Sequence, residues 1–324
     1  MKKNAINLFC ILFIALLFSS CFRSTTDATA TDSNGSTGNR KFTKNNFNLE
    51  SVDDLYTFFT YSEGSYPLVS AHRGGPQEHL PENAIETFEF HAKNNPLIIE
   101  CDIRMSKDSV LVLMHDESLE RTTTGSGKVS DYTLTELKEL DLVTNDGKIT
   151  NYKIPTLEET LTWGRNKVIF TLDVKQNVPY NLVSNIVNKT KAEAYSIIIT
   201  YNAAQAKAMH RVNPELMISV SVKSRSEWNK LITNDIPDNR LVGFVGTREP
   251  DQELLDLLHN HGIKSILGTL GNLDKQADAR GYQVYAEYIE KGIDIISTDR
   301  PVEAQKALDF YIKKHNITSP FVNN

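Results

Sequence analysis

The chain has 324 residues, 40% of them hydrophobic, with 11 prolines and a formal net charge of −6. That length suffices for one large α/β barrel or two modest domains. An acidic chain without a basic patch argues against a nucleic-acid surface.

Taken in order, Met1-Lys2-Lys3 and the apolar run 8–18 read as a targeting signal, because the run is too short for a comfortable membrane span. Leu17-Phe18-Ser19-Ser20-Cys21 resembles a bacterial lipobox, with Phe18 where leucine is commonest. The expectation is a signal over 1–20, lipid on Cys21, and a protein anchored to a membrane of the cell envelope, facing periplasm or exterior. The alternative is a plain cleaved signal. Cys10 is then removed, and Cys101 has no disulfide partner. Residues 21–45 are rich in Ser, Thr, Asp, Asn and Gly, cannot offset the entropy of ordering, and predict a flexible tether. One domain is expected over 46–324. Ser51 and the apolar spacing through Phe59 predict a short capped helix covering one end of it.

From Leu68 onward, β-branched runs at 68–71, 98–103, 168–174, 196–201, 217–222, 241–245, 264–269 and 294–297 alternate with helical patterns such as 84–94, 181–194, 205–212, 253–261 and 283–291. Eight such units predict a TIM (β/α)8 barrel, with a doubly wound open sheet as the alternative. The second run carries an extra limb. Ser106-Lys107-Asp108-Ser109 is a turn, and so short a connection cannot make a parallel crossover, so 110–116 returns as a hairpin strand. This places His115 roughly opposite Asp102.

Side chains alternate along a strand, so Glu100 and Asp102 share one face, while Ile99, Cys101 and Ile103 share the other. Two carboxylates facing a barrel interior are expensive unless a positive charge joins them, and a hard divalent cation is the usual answer. The other informative residues also follow strands, where a barrel keeps its site. These are His72-Arg73-Gly74-Gly75-Pro76, Asp173 and Lys175, and Thr298-Asp299-Arg300-Pro301. Asp299 reads as a helix cap. The Arg121 to Thr124 loop reads as ordering the region after the hairpin. Tyr201, at a strand end, is a candidate for the pocket lining.

His72-Arg73-Gly74, Pro81-Glu82-Asn83, Glu100-x-Asp102, His115-Asp116, Leu119-x-Arg121-Thr122-Thr123, Gly127-x-Val129, Ile154-Pro155-Thr156-Leu157 and Thr298-Asp299-Arg300-Pro301 together resemble the signature series of glycerophosphodiester phosphodiesterases. The resemblance implies a PLC-like phosphodiesterase TIM barrel with the hairpin on its second strand. It implies cleavage of deacylated phospholipids to sn-glycerol 3-phosphate and an alcohol. Carried over position by position, it makes Glu100, Asp102 and Asp173 the metal ligands, His72 and His115 the acid/base pair, and Arg73 and Lys175 the phosphate contacts. Glu82 and Tyr201 join the substrate-binding candidates. Two departures stand out. Asp173 occupies a position where the family usually has Glu, and Leu267 to Asn272 lacks the tryptophan that many members carry near the seventh strand.

The chemistry suits these residue types. Oxygen ligands favour one Ca²⁺ or Mg²⁺; imidazoles titrating near neutrality can exchange protons with the nucleophile and the leaving group; Arg73 grips phosphate oxygens as a fork and Lys175 as a point charge. The nucleophile is water or the substrate's own glycerol hydroxyl. A small-molecule diester is the expected partner, without nucleic acid or partner protein. The alternatives are a phospholipase D-like enzyme on lysophospholipids and a non-catalytic lipoprotein that binds a phosphorylated ligand.

Overall fold

Strands β1 (Leu68–Ala71), β2 (Ile98–Met105), β3 (Leu111–Leu113), β4 (Ile169–Val174), β5 (Ser196–Thr200), β6 (Met217–Ser221), β7 (Leu241–Gly246), β8 (Ser265–Gly268) and β9 (Ile295–Thr298) form one sheet. Their order is β1-β9-β8-β7-β6-β5-β4-β2-β3, and β1 also pairs with β2. That last pairing closes the eight parallel strands into a barrel, the expected TIM fold, and removes the open-sheet alternative. These observations come from a computed structural model of the chain, which describes residues 45–93 and 95–323. The signal over 1–20, Cys21 and most of the tether over 21–45 lie outside the described residues.

The β1–β9 register sets Ala71 beside Thr298, and the β2–β4 register sets Asp102 beside Asp173 and Glu100 beside Thr171. Residues in register on parallel strands share a face, so Glu100, Asp102 and Asp173 enter the barrel together. Ile99, Cys101 and Ile103 alternate with them and are completely buried, Cys101 as a free thiol. Strand β3 lies antiparallel to the end of β2. The hairpin was expected to set His115 opposite Asp102, but its register is one residue different. Ile103 faces Leu113, so the Met114 N–H donates to the Asp102 carbonyl, and His115 falls just past the strand.

Helix Val52–Phe59 starts at Ser51, whose hydroxyl accepts from the Asp54 N–H while the Asp54 carboxylate accepts from the Ser51 N–H. Such reciprocal caps contribute about 1 kcal/mol. The helix buries Leu55, Tyr56, Phe58 and Phe59. Its Tyr56 hydroxyl donates to the Glu215 carbonyl before β6, and Thr60 bridges to Ile263 before β8. It therefore plugs the end of the barrel where strands begin, leaving the opposite mouth open. A smaller core of Ala84, Val112, Met114, Leu119, Val129, Leu137, Leu142 and Ile154 supports the segment that follows the hairpin.

Lys264, just before β8, is 2% exposed, with its ammonium 5.1 Å from the Phe58 ring centre. Burial drags its pKa from 10.5 to about 8 against the attraction of Asp294. The unfolded chain holds this proton more tightly than the folded one, so charged Lys264 costs roughly 3 kcal/mol below pH 8, a cost relieved as pH rises toward 10.5. Lys264→Met is expected to raise stability at pH 7 and to lose that advantage near pH 10.5. Urea denaturation at the two pH values measures this, and equal advantages would contradict it. Asp294 keeps the Ser265 N–H and hydroxyl and His259 as partners in the variant.

Candidate active site

The chain leaves β1 through a single 3-10 turn, His72–Gly74, in which Arg73 takes the left-handed backbone at φ 52°. Gly74 is needed there, because a Cβ would sit 2.2 Å from the Phe88 ring. The turn aims the Arg73 N–H at Glu100 Oε2, 2.7 Å away. Strain of this kind is held only where surrounding contacts over-determine it, and a hydrogen bond to a buried carboxylate is such a contact.

Glu100, Asp102 and Asp173 are all buried, and each offers an oxygen within 4.8 Å of the others. Asp102 is clamped by Asn83, whose amide donates to Oδ2 at 2.7 Å while its carbonyl oxygen accepts the Asp102 N–H at 2.9 Å. The Lys175 ammonium lies 2.6 Å from Asp102 and 2.5 Å from Asp173. The Tyr201 hydroxyl is 2.7 Å from both Asp173 oxygens. Burial, followed by the Asp102 charge, pushes Glu100 well above the usual carboxylate range. Asp102 is held down despite its burial, chiefly by Lys175. One ammonium is thus shared by two of three crowded acids, the Arg73 guanidinium stands 4.0 Å from Asp102, and among the described residues Glu100 accepts only the Arg73 backbone N–H. An oxygen-only, under-neutralised set of this kind fits a hard divalent cation.

Both histidines are held by aspartates. His72 Nδ1 is 2.7 Å from Asp299 Oδ1, and His115 Nδ1 is 2.7 Å from Asp116 Oδ1. Each ring therefore has Nε2 left over for other chemistry. Burial alone would depress the His72 pKa, but the Asp299 hydrogen bond and the Glu100 and Asp299 charges raise it above its ordinary value. The His115 carbonyl accepts from Arg104 at 3.0 and 2.8 Å. Arg121 joins this side to the other, binding Asp116 at 2.6 Å and Glu82 at 2.8 and 2.9 Å, while Glu82 also binds Arg73 at 3.1 Å. Arg121 keeps Asp116 well below the usual carboxylate range.

Several expectations change here. Asp299 is no helix cap, since helix Pro301–His315 begins at Arg300 without a side-chain cap. The β1–β9 register instead carries Asp299 alongside His72. Glu82, expected among the substrate contacts, is buried beneath two guanidiniums, and its own charge would repel a phosphate. Thr123 does order its loop, bonding the Leu119 carbonyl at 2.7 Å, but Arg121 reaches across to Glu82. Asn83 grips Asp102, a role marked in sequence only by its place in the Pro81-Glu82-Asn83 motif. A cavity of about 210 Å³ joins His72, Glu100, Asp173 and Tyr201, and Phe244 and Leu270 supply apolar wall where the tryptophan is missing.

A closed parallel barrel with buried acids and aspartate-held imidazoles after its strands defines a TIM-barrel enzyme. Residues 72–303 match the model of the Glycerophosphoryl diester phosphodiesterase family. A glycerophosphodiester phosphodiesterase of Caldanaerobacter subterraneus subsp. tengcongensis is 32% identical over 243 residues, covering 72% of this chain and 94% of the relative. The crystal structure of a glycerophosphoryl diester phosphodiesterase from Parabacteroides distasonis superposes with a TM-score of 0.78 at 38% identity, covering 82% of this chain and 94% of that one. An Oleispira antarctica phosphodiesterase, solved with the product sn-glycerol-3-phosphate, shares the fold at a TM-score of 0.62 and 20% identity, over 79% of this chain and 99% of that one. The chain belongs to the glycerophosphoryl diester phosphodiesterase family and is an enzyme.

Proposed function

We propose that this enzyme hydrolyses glycerophosphodiesters to sn-glycerol 3-phosphate and an alcohol, using His72 and His115 as acid and base beside a divalent cation. The observation that carries the reading is the meeting, at one barrel mouth, of three oxygen-donating acids with imidazoles tied to Asp299 and Asp116. Glu100, Asp102 and Asp173 would hold one Ca²⁺ or Mg²⁺, which supplies neutralisation of a phosphate oxygen and of the charge that grows there. The protein's own groups do the rest. Arg73 and Lys175 stand beside the carboxylates with N–H groups to offer the diester. Glu82 keeps Arg73 oriented and, through Arg121 and Asp116, braces His115. One imidazole Nε2 takes the nucleophile's proton, and the other gives a proton to the leaving alcohol oxygen.

On this reading, residues 1–20 are a signal, Cys21 carries lipid, 21–45 is a tether, and 46–324 is the catalytic domain working in the cell envelope. The lipobox-like sequence is its support. The test is chelator-treated full-length protein assayed for glycerol 3-phosphate release from glycerophosphocholine, glycerophosphoethanolamine and glycerophosphoglycerol, before and after Ca²⁺ or Mg²⁺ is restored. Release that returns with a cation is expected, and none with either cation would overturn the reading. In the same expression experiment, Cys21→Ser should free the activity from the membrane fraction. Equal membrane association of the variant would sink the anchor.

A further inference from the structure

Among the described residues lining the cavity of His72, Glu100 and Asp173, one ammonium, that of Lys223, is left unused by the catalytic reading. Arg73 and Arg121 bind Glu82, Lys175 binds Asp102 and Asp173, and Arg104 is spent on the His115 carbonyl. Lys223, two residues past β6, lines the same cavity as His72, Glu100 and Asp173. It is exposed, and its stem lies along Gly246, where a Cβ would meet its Cγ at 3.5 Å and its Cδ at 3.6 Å. Among the described residues no carboxylate comes within 4.0 Å of its ammonium. Asp251 and Glu253 share a second small cleft with it and do not pair with it.

The acids of this cavity, Glu100 and Asp173, come from β2 and β4. The wall contributed from β5 through the end of β8 has instead the hydroxyls of Thr200, Ser219 and Ser221 and the side chains of Phe244 and Leu270. With the phosphate at the carboxylate side, a diester whose alcohol portion lies along that wall brings it to Lys223. A cationic alcohol would meet no acid there and an ammonium of its own sign, whereas an anionic one would meet a free partner.

We propose that Lys223 selects glycerophosphodiesters whose alcohol portion carries a negative charge. The proposal rests on the phosphodiesterase reading above. The test compares kcat/KM of full-length, cation-loaded enzyme on three diesters with the same scissile end: bis(glycerophospho)glycerol, glycerophosphoglycerol and glycerophosphocholine. The wild type should prefer the anionic diester over the neutral one by roughly fivefold at low salt, the scale of one partly exposed charge pair, and salt should shrink that preference. Lys223→Met, which retains the stem, should bring the ratio to about one. Lys223→Arg should keep it, and Lys223→Glu should move preference toward choline. An unchanged ratio in Lys223→Met overturns the proposal. So does an equal collapse in Arg225→Met, which would reveal a diffuse field with no particular role for Lys223. No turnover of any of the three diesters overturns the phosphodiesterase reading and this proposal together; turnover with an unchanged ratio overturns this one alone.

Discussion

Replacing His72 or His115 by alanine is expected to lower kcat by roughly 10²–10⁴-fold, the usual contribution of a positioned acid or base, while circular dichroism stays unchanged. Both rings lie at the barrel mouth, outside its core, so the loss should be chemical. The sharper experiment is Asp299→Asn. Its amide oxygen can still accept the His72 Nδ1–H, but the negative charge that helps raise the His72 pKa is gone. Loss of a group that orients and tunes a ring in this way typically costs about 10–100-fold. The sign of the pH effect follows from the shift. Asp299 favours the protonated ring, so the variant gives up its proton at lower pH. If His72 is the base, the acidic limb of the rate profile moves down in pH. If it is the acid, the alkaline limb does. The limb that moves therefore assigns the two roles. A variant with reduced kcat and both limbs in place would reduce Asp299 to a packing residue.

The second large effect concerns Glu100→Gln. In the wild type, a cation at 100 times its dissociation constant adds about 2.7 kcal/mol, worth about 5 °C or more in melting temperature for a domain of this size. The variant is expected to lose this stabilisation and to fall by roughly 10²–10³-fold in activity, the scale seen when a donor to developing charge is removed. Without cation, the order of stability should reverse. Glu100 is buried beside Asp102, and both effects raise its pKa above that of the unfolded chain, so folding takes up a proton and stability falls as pH rises above the unfolded value. Glutamine has no proton to take up and can still accept the Arg73 N–H. The cation-free variant should therefore melt above the cation-free wild type at neutral pH, the trade of stability for function expected of a preorganised site. Differential scanning calorimetry in chelator, then with Ca²⁺ or Mg²⁺, measures both halves. A cation shift that survives in Glu100→Gln would place the ion elsewhere.

Much of this was legible in the residues alone, for a definite reason. Alternation in 98–103 depends only on strand geometry, so the common face of Glu100 and Asp102 needs no knowledge of the rest of the chain. The alternation of apolar runs with helical patterns is likewise a local signal, repeated often enough to specify a parallel barrel. The hairpin followed from the length of a connection. It was off by one residue because the bulk of the turn, with Ser109 at φ 64° and its N–H on the Ser106 carbonyl, sets register in a way that spacing does not reveal. Asp116 holds His115 from the next position in the chain, so that pair also lies within reach of sequence.

What remained hidden depends on which strands become neighbours. Asp299 is 227 positions from His72, and it reads as a cap because a proline-headed helix follows it closely. Only closure of β9 on β1 brings the carboxylate to the imidazole. Glu82 and Arg121 are 39 positions apart and unremarkable singly, yet their pairing decides that Glu82 holds guanidiniums. Lys223 is one of many exposed lysines until the cavity shows which cations are already paired. The sequence by itself determined the barrel, the carboxylate face and the places of His72 and His115 just past their strands, because period, spacing and turn chemistry are local properties of the chain. The tertiary structure alone decided who orients whom, because ion pairing and shifted pKa values depend on distances across strands that no local pattern encodes.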